Sequence, residues 1–131
     1  MKTFSHRISA LSMGIFILIW AANVVEARAV DFNSLIGRWQ RTDGGYVIEI
    51  RNVESNGNMQ AGYFNPNPIH VGRAEASTDD DRIKVEIELQ DRGYPGSTYT
   101  LVYDSGKDVL FGYYYQAIAK QYFEVIFIRV P

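Results

Sequence analysis

The chain of 131 residues contains no cysteine. That removes disulfides, thiolate nucleophiles and cysteine-based metal sites at one stroke. Histidine is almost as scarce. His6 lies in the N-terminal segment and His70 is the only other one, too few for a multi-histidine zinc site. Basic stripes are missing, so nothing marks a nucleic-acid partner, and no polybasic helix addresses an anionic membrane. A Gly-x-Ser-x-Gly nucleophile elbow is absent. With no nucleophile, general base, cofactor motif or metal-ligand pattern to assign, the sequence points to a non-catalytic protein without a cofactor; a small esterase- or isomerase-like enzyme is the last-ranked reading. Beyond Trp20, tryptophan occurs only at Trp39.

The start of the chain supplies an address. Lys2, His6 and Arg7 precede the apolar run 8–22, and Ala27-Arg28-Ala29 offers the small-x-small pattern of a signal-peptidase site. This predicts a secretory signal peptide over residues 1–29, cut before Val30. The apolar core is short against the ~20 residues of a spanning helix, leaving an uncleaved anchor as the alternative. No cysteine follows the run to carry a lipid, so no stable membrane anchor is expected after cleavage. Export without disulfides suggests a periplasm or the exterior. Residues 30–131 then form one domain, large enough to build a core. Their three lysines and seven arginines stand against eight aspartates and six glutamates, a net charge of −4.

Period-two alternation dominates that domain. Ile83, Val85, Ile87 and Leu89 alternate with charges, as do Tyr46, Ile48 and Ile50 with polar neighbours. Strands are predicted over 37–42, 45–53, 59–64, 69–77, 82–90, 97–104, 108–116 and 120–130. Asp43-Gly44-Gly45, Ser55-Asn56-Gly57-Asn58, Asp79-Asp80-Asp81 and Ser105-Gly106-Lys107 suit tight hairpins. The fold class is therefore all-β: an eight-stranded antiparallel up-and-down barrel with a short N-terminal helical turn, closed so that no edge is left exposed. A two-sheet sandwich is the competing fold, disfavoured by the short links.

Gly37-x-Trp39 on the first strand, the helical turn at 31–35 and Arg129 on the last strand resemble the calycin superfamily of lipocalin-like and avidin-like barrels. Gly57–Tyr63 and Leu110–Tyr114 are similar to the apolar-x-Gly-aromatic pattern of the avidin-like branch. The resemblance implies that Trp39 lies across the closed end with Arg129 packed over its ring, and that Gly37, Trp39 and Arg129 are structural. The chain departs from the avidin-like branch at the pocket, which uses several tryptophans where this domain has only Trp39, so no biotin site is carried over.

Parity of a meander puts Thr42–Gly45, Asn65–Pro68, Asp91–Gly96 and Ala117–Lys120 on one rim, the open one. Loops on a rigid scaffold concentrate binding residues. Nine tyrosines follow the N-terminal segment; they read either as core filler or as the walls of an apolar cup with polar handles. On the second reading Tyr46, Tyr63, His70, Tyr94, Tyr99, Tyr114 and Gln116 line the mouth, above a floor at Trp39. Small residues at Ala61 and Gly112 leave a void there. The expected function is binding of a small, partly apolar ligand at that rim. The alternative is a protein-binding module such as a periplasmic protease inhibitor. Residues 113–115 and 122–128 are apolar on both faces, which predicts a homodimer through the outer wall of the last two strands.

Overall fold

In a computed structural model, the structure describes residue 3, residues 14–22 and residues 31–131. The basic start and the proposed cleavage site fall outside the described residues. Residues 14–22 carry no helix or strand and are exposed. No helix among the described residues is long and apolar enough to cross a membrane.

From Asp31 onward the protein is strands. A single 3-10 turn, Phe32–Leu35, is capped by the Asp31 carboxylate, which accepts from Asn33 N at 2.9 Å. Nine strands follow: β1 (Gly37–Arg41), β2 (Val47–Val53), β3 (Met59–Phe64), β4 (Pro68–Ile69), β5 (Val71–Asp79), β6 (Arg82–Leu89), β7 (Thr98–Asp104), β8 (Val109–Gln116) and β9 (Gln121–Val130). They form one antiparallel sheet in the order β4-β3-β2-β1-β9-β8-β7-β6-β5. First and last strands pair, with Trp39 opposite Arg129. The sheet curls until Asn58 bridges Glu75 and Ala76 N donates to the Gly57 carbonyl at 2.8 Å. The result is a nearly closed, all-strand barrel compatible with a calycin-like fold.

Nine strands replace the eight expected because the segment read as one strand, 69–77, divides at His70. Ile69 pairs with Tyr63 of β3, whereas Val71 pairs with Leu89 of β6. Between them, His70 N donates to the Asp91 carboxylate at 2.6 Å and its carbonyl accepts from Gln90 N at 3.0 Å. The chain thus changes partner at one residue, and a register shift between Val71 and Arg73 completes the step. Elsewhere the turn chemistry is local. Asp80 and Asp81 both take positive φ, 45° and 65°, the geometry of a two-residue hairpin matched to strand twist.

Alternation sets the core. Trp39, Ile48, Ile50, Tyr63, Val85, Ile87, Leu89, Tyr99, Leu101, Leu110 and Phe127 all point inward and are buried. Each such aliphatic or aromatic side chain contributes about 1.5–3 kcal/mol of burial. At the closed end Trp39 donates from Nε1 to the Leu35 carbonyl at 2.9 Å. The Arg129 guanidinium lies 4.2 Å above the indole. The same guanidinium donates to the carbonyls of Ile36 (2.7 Å) and Ser34 (2.6 Å) and forks onto Asp108. Gly37 makes the room: a Cβ there would sit 2.6 Å from Arg129 Nη1.

Candidate functional site

The open rim is built around a residue that alternation places inward against its chemistry. Gly37, Trp39 and Arg41 share one face of β1, so Arg41 enters the barrel, and it is only 9 % exposed. Each of its three guanidinium nitrogens makes a hydrogen bond. Nε and Nη2 fork onto Asp43 at 2.7 Å each, and Nη1 donates to the Tyr99 hydroxyl at 3.1 Å. The Tyr46 ring lies 4.1 Å from the guanidinium carbon and the Tyr114 ring 5.8 Å. Stacking on aromatic faces and forking onto a carboxylate are the two arrangements that favour arginine over lysine.

Behind Arg41 the tyrosines form a connected stack. Tyr99 and Tyr63 share a hydrogen bond of 2.8 Å between hydroxyls. Tyr99 stacks on Tyr114 at 4.5 Å, and Tyr114 on Phe123 at 6.4 Å. Tyr46 stacks on Tyr63, and Tyr94 meets Tyr63 edge-on, both at 6.5 Å. The Tyr94 hydroxyl accepts from Asn65 Nδ2 at 3.0 Å, tying two rim loops together. Buried Ser97, in the same loop as Tyr94, accepts from Ala117 N at 3.1 Å and ties that loop to the β8–β9 turn as well.

Five of the predicted mouth residues therefore converge: Tyr46, Tyr63, Tyr94, Tyr99 and Tyr114. Two stand apart. The His70 side chain is exposed, and its backbone serves the strand switch. Gln116 turns its amide back to accept from Ala119 N, capping the β8–β9 turn. The void expected beside Ala61 and Gly112 is not in the mouth. A Cβ on Gly112 would collide with the Thr100 carbonyl, so this glycine admits the β7 backbone rather than a ligand. Ala61 borders a cavity of about 360 Å³ at the β3–β5 seam, with Met59, Gly72 and Ala74 and with Arg51 and Arg73 at its edge. A larger one of about 560 Å³ lies by the closed end, against Asp31, Ser34, Ile83, Tyr103 and Phe111. Neither cavity touches a predicted mouth residue. Trp39 belongs to the closed end, beneath Arg129.

Arg41, Asp43 and Phe123 are the site residues that sequence reasoning missed. The signal for Arg41 was its position two residues after Trp39 on the same strand face.

Electrostatically the centre of the rim is the Arg41–Asp43 ion pair, set among tyrosine rings. Burial disfavours the Arg41 charge, but the hydrogen bonds to Asp43 and Tyr99 outweigh it, so its pKa is raised. The Arg41 hydrogen bond in turn holds Asp43 below the usual carboxylate range. Burial pushes Tyr99 up to about 12, against hydrogen bonds from Tyr63 and Arg41 that lower it. Burial raises Tyr63 as well, reinforced by Tyr99. Both remain phenols at neutral pH and serve as hydrogen-bonding groups. The arrangement can hold a planar anion and an apolar body beside it.

Comparison with known proteins returns no match to any protein-family model, curated protein or solved structure.

Proposed function

We propose that the protein is an exported, calycin-like, non-catalytic barrel that binds a small, partly apolar carboxylate at its open rim. One observation carries this reading: a guanidinium buried between two tyrosine rings takes its carboxylate from a loop side chain that is itself 56 % exposed. Asp43 occupies the position that a ligand carboxylate would take. Since Asp43 sits in the short link between β1 and β2, an incoming carboxylate can replace it at the fork without disturbing the strands. Tyr46, Tyr114 and Phe123, the last exposed at the rim, would carry the ligand's apolar part. Bidentate arginine–carboxylate pairs are both stronger and more directional than neutral hydrogen bonds.

The second reading, a protein-binding module, draws support from the filled interior. Tyr63 and Tyr99 occupy the space below Arg41 and are buried, so anything bound is held at the rim. A carboxylate on a partner protein would use the same fork.

The test is an NMR titration with benzoate, phenylacetate and octanoate, following the Arg41 Nε–H resonance. A saturable shift is expected, absent with the matching amides and abolished in Arg41→Met. Asp43→Asn should tighten binding several-fold by removing the resident competitor. Equal response to acids and amides, or unchanged affinity in Asp43→Asn, would reject the anion site. Response only to a peptide bearing a C-terminal carboxylate would favour the protein-binding reading.

A further inference from the structure

The outer wall divides into two kinds of surface. On β5 and β6 the outward side chains form an ion-pair network, with Arg73 meeting Glu75, Glu86 and Glu88, and Lys84 meeting Glu86. On β8 and β9 the outward side chains include Phe111, Tyr113, Tyr122, Ile126 and Ile128, all exposed. The register joins them: Phe111 lies opposite Ile126, Val109 opposite Ile128, and Val102 of β7 beside Phe111. Contiguous exposed apolar surface of this kind marks an interaction site.

Two charges lie on this face of the wall, one of each sign. Glu124 stands on β9 opposite Tyr113, and Arg38 on β1 opposite Val130. Both are exposed, and neither takes part in the ion pairs found among the described residues.

We infer that this face binds a second copy of the chain, through a two-fold axis that sets Arg38 of each protomer against Glu124 of the other. The positions of the two charges fix the geometry. Arg38 lies level with Val130, so along the strands it is about 20 Å from Glu124, and about 5 Å to the side, one strand over. An axis that exchanges the two runs nearly at right angles to the strands and passes between β9 and β1 near residue 127. Strands of the two copies then cross at roughly 30°, the angle of aligned sheet packing. The same axis puts Ile126 and Ile128 at the centre, Phe111 beside them and the charges at the ends. An isologous interface requires such self-complementarity, in which residue i meets j and j meets i. An axis parallel to β9 would instead bring Glu124 against its own copy. Phe111, Ile126 and Ile128 supply an apolar centre, and the charge pairs fix register more than affinity.

Sedimentation equilibrium on the protein expressed from its full coding sequence tests this, with its N-terminus read by mass spectrometry. A dimer at tens of micromolar (chosen on the affinity scale) is expected. Ile126→Lys should give monomers with unchanged circular dichroism. Arg38→Glu and Glu124→Arg should each weaken the dimer at least tenfold, and the double charge reversal should restore it. Should Ile126→Lys unfold the protein, the charge-reversal set still decides, because both positions are exposed. A strictly monomeric wild type would overturn the inference and leave the face to a different partner. A dimer that Ile126→Lys leaves intact would overturn it as well, as would a double reversal no tighter than either single change.

Discussion

Each end of this barrel holds an arginine over an aromatic ring with an aspartate at its fork, and the two assemblies differ in what else they grip. At the closed end Arg129 covers Trp39, forks onto Asp108 and donates to two backbone carbonyls. At the open end Arg41 covers Tyr46, forks onto Asp43 and donates to Tyr99. Only the first guanidinium holds main chain. It fastens the 3-10 turn to β9, so its loss frees a whole segment. The second is more deeply buried, 9 % exposed against 32 %, yet all its side-chain partners are other side chains. The Asp43 carboxylate among them is 56 % exposed. Similar chemistry thus gives a clamp at one end and, on the function proposed above, a receptor at the other.

The largest expected effect separates those roles by stability. Arg129→Ala removes the ring contact, the fork and two carbonyl hydrogen bonds, and should cost about 2–4 kcal/mol after allowance for its partial exposure. Arg41→Met removes the buried cation and keeps most of the packing. It leaves Asp43 in water, where that carboxylate is already 56 % exposed, rather than as an unpaired buried charge, and Tyr99 keeps its hydrogen bond to Tyr63, so the expected cost is within about 1 kcal/mol. Urea unfolding of both variants, with unchanged slopes, makes the measurement. If Arg41→Met proved the more damaging, the open end would be structural and the receptor reading would fall.

The two ends also differed in how far the sequence disclosed them. Gly37, Trp39 and Arg129 stood out because Gly-x-Trp on the first strand and an arginine on the last resemble the calycin pattern, and Trp39 is the only tryptophan beyond Trp20. Strand alternation placed Ile83–Leu89 and Tyr99–Tyr103 without help from any partner. The split at His70 was invisible, because its cause is the Asp91 carboxylate, 21 residues away in sequence. Arg41 was hidden by a general expectation that a charge on a strand faces water, although the period running from Trp39 already turned it inward. Gly112 was legible as a place of close approach, but the sequence could not say that the approaching group is the Thr100 carbonyl. Tyrosine content announced an aromatic interior; only the fold could show the rings filling it rather than lining it.

A smaller effect sharpens the comparison at alkaline pH. Tyr99 carries its phenol up to about 12 in the folded state, against about 10 when unfolded. A raised pKa stabilises the folded protein fully below the unfolded value, and that contribution is lost as pH rises through the folded one. Stability should therefore fall by about 2 kcal/mol between pH 9 and pH 12 from this group alone. Tyrosinate absorbance should show the Tyr63–Tyr99 pair ionising only with unfolding. Early, reversible ionisation of Tyr63 and Tyr99 would mean that water reaches the stack and the interior is open after all.

The smallest effect lies on the acid side and weighs the two aspartates against each other. Each is held below the usual carboxylate range by the hydrogen bond from its own arginine, and Asp108 also accepts from Tyr103 at 2.8 Å. A depressed folded pKa stabilises above the unfolded value, near 4, and that contribution disappears as pH falls through the folded one. Both carboxylates are about half exposed, 56 % for Asp43 and 45 % for Asp108, so solvent screening keeps each contribution small. Asp43→Asn should change stability by less than about 0.5 kcal/mol at pH 7, and Asp108→Asn by about 1 kcal/mol, because Asp108 orients the Arg129 clamp. Both differences from wild type should shrink towards pH 3, where the native carboxylates begin to protonate. A thermal melting series from pH 7 to pH 3 on the two variants gives the comparison. An Asp43→Asn penalty equal to that of Asp108→Asn would show that Asp43 is as firmly fixed as its counterpart, and no longer a carboxylate that a ligand could replace.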